Sequence, residues 1–476
     1  MIELNKVINM NTKWTEAQKN AIFTPNCNLL VAAGAGTGKT AVLVERILKK
    51  VINDSEEVDI DKLLVVTFTN AAASEMKERV GEALSKLLEV ECTSKNLQRQ
   101  LALLNQSNIM TIHSFCLKVI KNNFHRIELD PNFRICDGTE SKLLKQDALL
   151  EVFEQKYEEE NPGFLNLVDG YGGKNDNKLQ DIVLSLYEFS QGNPWPKRWL
   201  GDILKDFNLS SDFNFGDTKW AKVLMHNITV ELKGCKNKME NMLNIIESIE
   251  GLEHYLEYFK SDIENIDKLI GVTTWDEIIN GFIKLNFKKL SSKKTDPMIK
   301  VYKDKARNTR DEVKKKLIGI REDIILCTDN IYQDLKEIYP LMKSLISLVM
   351  DFYDKYQVKK NERNMIDFND IEHLCLEILT DKDKNGYIVP SEAALEYRKY
   401  FEEIFIDEYQ DSNEVQEVIM NMISKKDIRA NLFMVGDVKQ SIYRFRQARP
   451  ELFLEKYNSY DEKEGSKNRK IKLSEN

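Results

Sequence analysis

No Cys-x-x-Cys pair occurs in the sequence, and its seven cysteines (Cys27, Cys92, Cys116, Cys136, Cys235, Cys327 and Cys375) stand far apart. An odd, scattered set excludes a disulfide framework and reads as reduced thiols, mostly filling cores. The five histidines show no metal-ligand spacing. The amino terminus, MIELNKVINMNTKWTEAQ, lacks the apolar centre of a signal peptide, and no uninterrupted apolar run approaches bilayer length. The expected compartment is therefore the cytoplasm, with no membrane partner. An excess of positive charge is missing as well, the formal net charge being -8. That excludes a protein coated in basic surface, but not a local cationic groove lined with aromatic stacking platforms.

At 476 residues the chain exceeds one compact core, so two or three domains are expected. Two textures alternate along it. Residues 1–130 and 356–476 hold short apolar runs followed by amphipathic helical patterns: NLLVAA (28–33), LLVVTFT (63–69), EIFIDE (403–408) and NLFMVGD (431–437). Such runs, ending in polar or glycine-rich turns, predict an α/β fold around a parallel sheet buried on both faces. Function in such sheets gathers at the carboxyl ends of the strands. Residues 131–355 are instead rich in Lys, Glu, Asn and Leu at helical spacing, which predicts a large, mostly helical inserted domain. Within it, 291–316 is strongly basic and suits either a solvated helix face or a DNA-backbone contact. No internal repeat or low-complexity linker is present.

The strongest local signal is VAAGAGTGKT (31–40), an apolar strand entering a glycine-rich turn and then a helix. Glycines let backbone N–H groups converge on phosphate oxygens, and the helix N-terminus adds its positive dipole end. Ala33, Gly34, Ala35, Gly36, Thr37, Gly38, Lys39 and Thr40 are the expected nucleotide cradle. Lys39 reaches the β- and γ-phosphates, and Thr40 ligates Mg²⁺. The general pattern G-x-x-x-x-G-K-[ST] has glycine where this chain has Ala33. The run FIDEYQD (405–411) supplies the complement: Asp407 to hold Mg²⁺ and Glu408 to polarise the attacking water as general base. In MVGDVKQSIYRFR (434–446), Asp437 and Gln440 stand where side chains can sense the γ-phosphate. Tyr443, Arg444, Phe445 and Arg446 then interleave aromatics with cations, as suits stacked bases. ATP and Mg²⁺ are the implied cofactors.

In this order the motifs resemble superfamily 1 helicases of the UvrD/Rep class. The resemblance implies a P-loop (RecA-like) motor domain and nominates Gln18, within WTEAQKNAI (14–22), to read the adenine edge. It assigns Thr67, Phe68, Thr69 and Asn70 of TFTNAAASEMKERV (67–80) to single-stranded DNA, with Thr111, His113 and Phe115 of TIHSFC (111–116). IDFNDI (366–371) resembles the family's DFxD-like element. The stretches at 129–155 and 171–200, NPWPKRW above all, resemble the inserted domain of the AddA family of helicase–nucleases. That family implies 3′ to 5′ translocation, a role in double-strand-break repair, duplex as well as single-stranded DNA as partners, and a heterodimer with an AddB-like protein. Stand-alone UvrD/PcrA-like and RecB-like helicases are the alternatives within the class. A nucleotide-dependent binding module without motor activity is the alternative outside it.

In the family, a strand like RKIKLSEN (469–476) runs on into an Asn-Phe/Tyr-Arg-Ser motif, and Asn476 matches its Asn. The expectation is a front part of a longer protein, with a second motor domain and a nuclease beyond it. By itself this part is expected to bind nucleotide and single-stranded DNA weakly and to turn over little.

Overall fold

In the computed structural model, which describes residues 14–34, 36–52, 58–127, 129–209, 214–291, 296–426, 429–441 and 447–473 apart from the side chains of 326–330, the apolar runs become neighbouring strands. They are β1 (Asn28–Ala33), β2 (Leu63–Thr67), β3 (Asn108–Thr111), β4 (Glu403–Ile406), β5 (Leu432–Gly436) and β6 (Asn468–Leu473). Their order across the sheet is β6-β1-β5-β4-β2-β3, and every pairing is parallel. The α/β reading from the sequence is thereby borne out. All five residues of β2 and of β5 are buried, as a sheet covered on both faces requires.

Alternation along each strand divides the apolar side chains between two cores. Leu30, Leu64, Val66, Ile404, Ile406 and Met434 point into one. Leu29, Val31, Leu63, Val65, Phe405 and Phe433 point into the other. The second face is covered by α1 (Glu16–Phe23), α2 (Lys39–Ile52) and α3 (Asn70–Val90). Against the first lie α4 (Ile112–Asn123) and α5 (Phe368–Leu379). The strand expected over 63–69 stops at Thr67 because Thr69 caps α3, its hydroxyl accepting from the N–H of Ala72 at 3.1 Å.

The chain forms two compact units, one from Met1–Trp199 with Ser347–Asn476 and the other from Leu200–Ile346. The sheet belongs to the first. The helices Gly138–Glu158 and Asn177–Ser190 belong there too, so the packing boundary near 200 does not coincide with the composition change near 131. Aromatic packing accounts for this: the Tyr187 ring lies 5.1 Å from Phe352 and 6.0 Å from Tyr356. Among the described residues of the second unit every element is helical. Its core gathers Leu232, Met239, Phe259, Ile266, Phe282 and Leu317. Arg310, from the basic stretch, is buried there with its Nε 2.5 Å from Asp262. No described helix is long and apolar enough to cross a membrane.

Candidate active site

The strands β1, β4 and β5 are neighbours in the sheet, so their carboxyl ends bring three turns together. After β1, Gly34 accepts hydrogen bonds from the Thr37 N–H (3.4 Å) and hydroxyl (2.9 Å). Gly36 and Gly38 have φ of 75° and 82°, a left-handed backbone that favours glycine. The turn delivers the chain into α2 at Lys39. Ala33 closes the buried strand, and Ala35 lies outside the described residues.

Lys39 is the centre of the cluster. Its Nζ lies 3.3 Å from Glu408 Oε2 and 3.5 Å from Gln440 Oε1. The Lys39 side chain is 13% exposed and that of Glu408 37%, so the pair contributes at most about 1 kcal/mol and can be exchanged for phosphate at little cost. Glu408 has φ 50° and ψ 45°, which for a residue with a side chain costs about 1 kcal/mol or more. Its carboxylate accepts from Gln410 Nε2 at 2.8 Å.

Asp407 Oδ1 accepts from the Glu408 N–H at 3.1 Å. Burial, and then the neighbouring Glu408, raise its carboxyl from the ordinary 3.8 to about 6, against the opposing pull of the Glu408 N–H and Lys39. A half-buried carboxylate whose negative charge is this poorly compensated fits a divalent cation. Thr40 follows Lys39 in the first turn of α2 and carries a hydroxyl of the kind that can ligate Mg²⁺.

Gln18 is 4% exposed, and a capping box joins it to Thr15. Its Nε2 donates to the Thr37 carbonyl at 3.2 Å, tying α1 to the glycine-rich turn. Gln440 donates to Asp437 Oδ2 at 2.8 Å. Sequence reasoning missed Gln410, which is 1% exposed and accepts from the Asp437 N–H at 2.9 Å while donating to Glu408. A Cβ on Gly436 would meet Gln410 Oε1 at 2.3 Å, so glycine ends β5 for this contact.

The residues assigned to single-stranded DNA divide. Thr69 and Asn70 are exposed and Phe68 is half-buried. Thr67 and Thr111 are buried with local duties: Thr67 donates to the Thr69 carbonyl, and Thr111 caps α4. Phe115 is a correction. Its ring is fully buried against Tyr397 and Phe401, at 5.8 and 6.1 Å, because the α4 face that carries it turns into the core. His113, on the outer side of α4, lies 3.4 Å from the buried Glu372 and has its ring 6.2 Å from Phe368. Phe368 is 58% exposed and makes His113 part of an aromatic surface; only its place in IDFNDI hinted at this. Tyr443, Arg444, Phe445 and Arg446 lie outside the described residues.

Comparison with known proteins identifies the family. The family model of the UvrD/REP helicase N-terminal domain matches residues 14–461. The AddA protein of Clostridium kluyveri, an ATP-dependent helicase/nuclease component, is 88% identical over 470 residues, covering 99% of this chain and 38% of the relative. Its counterpart in Clostridium botulinum is 51% identical over 494 residues, covering 98% and 38%. The chain thus spans 38% of the length of these relatives.

Proposed function

The chain belongs to the UvrD/REP helicase N-terminal-domain family, and from that premise we propose that it is the ATP-binding half of an AddA-like DNA motor. The observation carrying this reading is the meeting of Lys39, Glu408 and Gln440 within 3.5 Å at the ends of three adjacent strands. Backbone N–H groups of residues 33–40 cradle the phosphates, and Gln18 reads adenine. Thr40 and Asp407 would hold Mg²⁺, which when bound would supply positive charge to the nucleotide's phosphates. As the phosphates draw Lys39 away, Glu408 is released to accept a proton from the attacking water. Gln410 keeps that carboxylate aimed, and Gln440 with Asp437 stands ready to sense the γ-phosphate. Phe68, Thr69, Asn70, His113 and Phe368 are the residues we assign to a single strand, with Tyr443, Phe445 and Arg446 as further contacts.

In the whole protein, hydrolysis at this site drives 3′ to 5′ movement along DNA. The setting is cytoplasmic double-strand-break repair, with an exonuclease in the remainder of the chain, an AddB-like partner, and 131–355 as the inserted arm. Glu408→Gln in the full-length protein tests the motor reading. Hydrolysis should fall roughly 10²–10⁴-fold while ATP binding is retained. Unchanged hydrolysis would remove Glu408 as the base; a chain that binds nucleotide but never hydrolyses it would instead be a binding module.

A further inference from the structure

At the amino end of the same sheet lies a cavity of about 790 Å³. Lys50, Lys62, Lys399, Lys425 and Arg429 line it, against the three carboxylates of Glu396, Glu402 and Glu403. Its size falls within the roughly 300–1,000 Å³ of small-molecule sites. A cationic excess here runs against the net charge of -8 on the whole chain. Glu403 opens β4 and Asp407 follows its last residue, so the cavity and the Lys39 cluster are about 13 Å apart along the strand.

The charges around the cavity are incompletely matched. Lys425 pairs with Glu402 at 2.8 Å and Lys50 with Glu403 at 3.6 Å. Lys62 instead sits over the Tyr400 ring at 3.8 Å, and neither Lys62 nor Lys399 forms an ion pair among the described residues. The floor is polar and built. Glu403 is 3% exposed, and its Oε1 accepts from Arg46 Nε and Nη2 at 2.9 and 2.5 Å. Among the described residues its Oε2 has no hydrogen-bond donor in reach, Lys50 being too distant. A buried acceptor beside unmatched ammonium groups calls for a ligand that carries negative charge and also an N–H or O–H.

We propose that this cavity is a second anion site, taking the phosphates of a nucleotide-sized ligand on Lys62 and Lys399 and a donor from its organic part on Glu403 Oε2. Hydrogen exchange on the Lys39→Ala chain, whose phosphate loop is disabled, separates this site from the motor site. Millimolar ADP should slow exchange in peptides covering 396–403 and 429–431. Inorganic tripolyphosphate, which lacks a base, should do so through the lysines alone. Adding Lys62→Glu and Lys399→Glu should weaken the apparent affinity at least ten-fold. Lys62→Gln with Lys399→Gln serves if charge reversal impairs folding. No protection by either probe, or protection undiminished in both lysine variants, overturns the proposal. So does protection by a single-stranded oligonucleotide where ADP and tripolyphosphate give none, since that would be a nucleic-acid surface.

Discussion

Asp407 carries a cost that depends on pH. Its carboxyl titrates near 6 when folded, against an ordinary value of 3.8. The folded state therefore binds this proton more tightly, and the associated stability, present below about pH 4, is lost as pH rises through about 6. Thermal melts without divalent metal should show Asp407→Asn gaining over the parent between pH 4 and 7 and matching it at the acid end. A constant difference would mean that the carboxylate is already compensated. Gln410 offers a second test. Gln410→Ala leaves the Asp437 N–H without its acceptor and Glu408 with Lys39 but without its amide donor, costing about 1–3 kcal/mol in urea unfolding. In the full-length protein it should lower hydrolysis roughly ten- to a hundred-fold, as removal of supporting contacts does elsewhere. The placement of Lys39, Asp407, Glu408 and Gln440 was legible in the sequence because each follows an apolar run that becomes a strand of the sheet. Gln410 was not, since its role exists only once β4 and β5 lie side by side.

Elements are tied together by charges that a helical pattern alone would assign to the surface. Arg46, in the middle of α2, is 1% exposed. It donates to the Ala21, Ile22 and Thr24 carbonyls at the end of α1, holds Glu403 of β4, and stacks over Phe433 of β5 at 4.7 Å. Arg46→Met should cost about 3–5 kcal/mol, because Glu403 is left buried with only the more distant Lys50 to offset its charge. Glu403→Leu in the same chain should recover much of that, and urea unfolding of the two variants decides it. Additive losses would show that Arg46 acts through its carbonyl contacts instead. Four of the six strands (β1, β2, β4 and β5) were legible to within two residues, since burial on both faces leaves little choice of residue, whereas the short β3 carried no such run. The short antiparallel pair Thr380–Lys382 with Ile388–Pro390 was not, its residues being polar or only half-buried. Phe115 was misplaced for a related reason: a motif names its members but not the side of the helix each one occupies.

As a whole, the molecule holds separate cores in its two units. Calorimetry should resolve two transitions, and Phe282→Ala should shift one of them by about 3–5 kcal/mol while nucleotide affinity stays unchanged. A single transition that moves as one would contradict this independence. Helical texture was readable from 131 onward, but not which helices join which core, because aromatic partners such as Tyr187 and Phe352 are far apart in sequence. The sheet order also has a consequence for how the protein is made. Both neighbours of β1, the strand that feeds the glycine-rich turn, come from residues 432–473. A ribosome adding about 5–20 residues per second leaves β1 waiting about 20–80 s with both edges open. For that interval the segment that will cradle the nucleotide is a client for chaperones, and its contact order makes it among the last parts of the sheet to close.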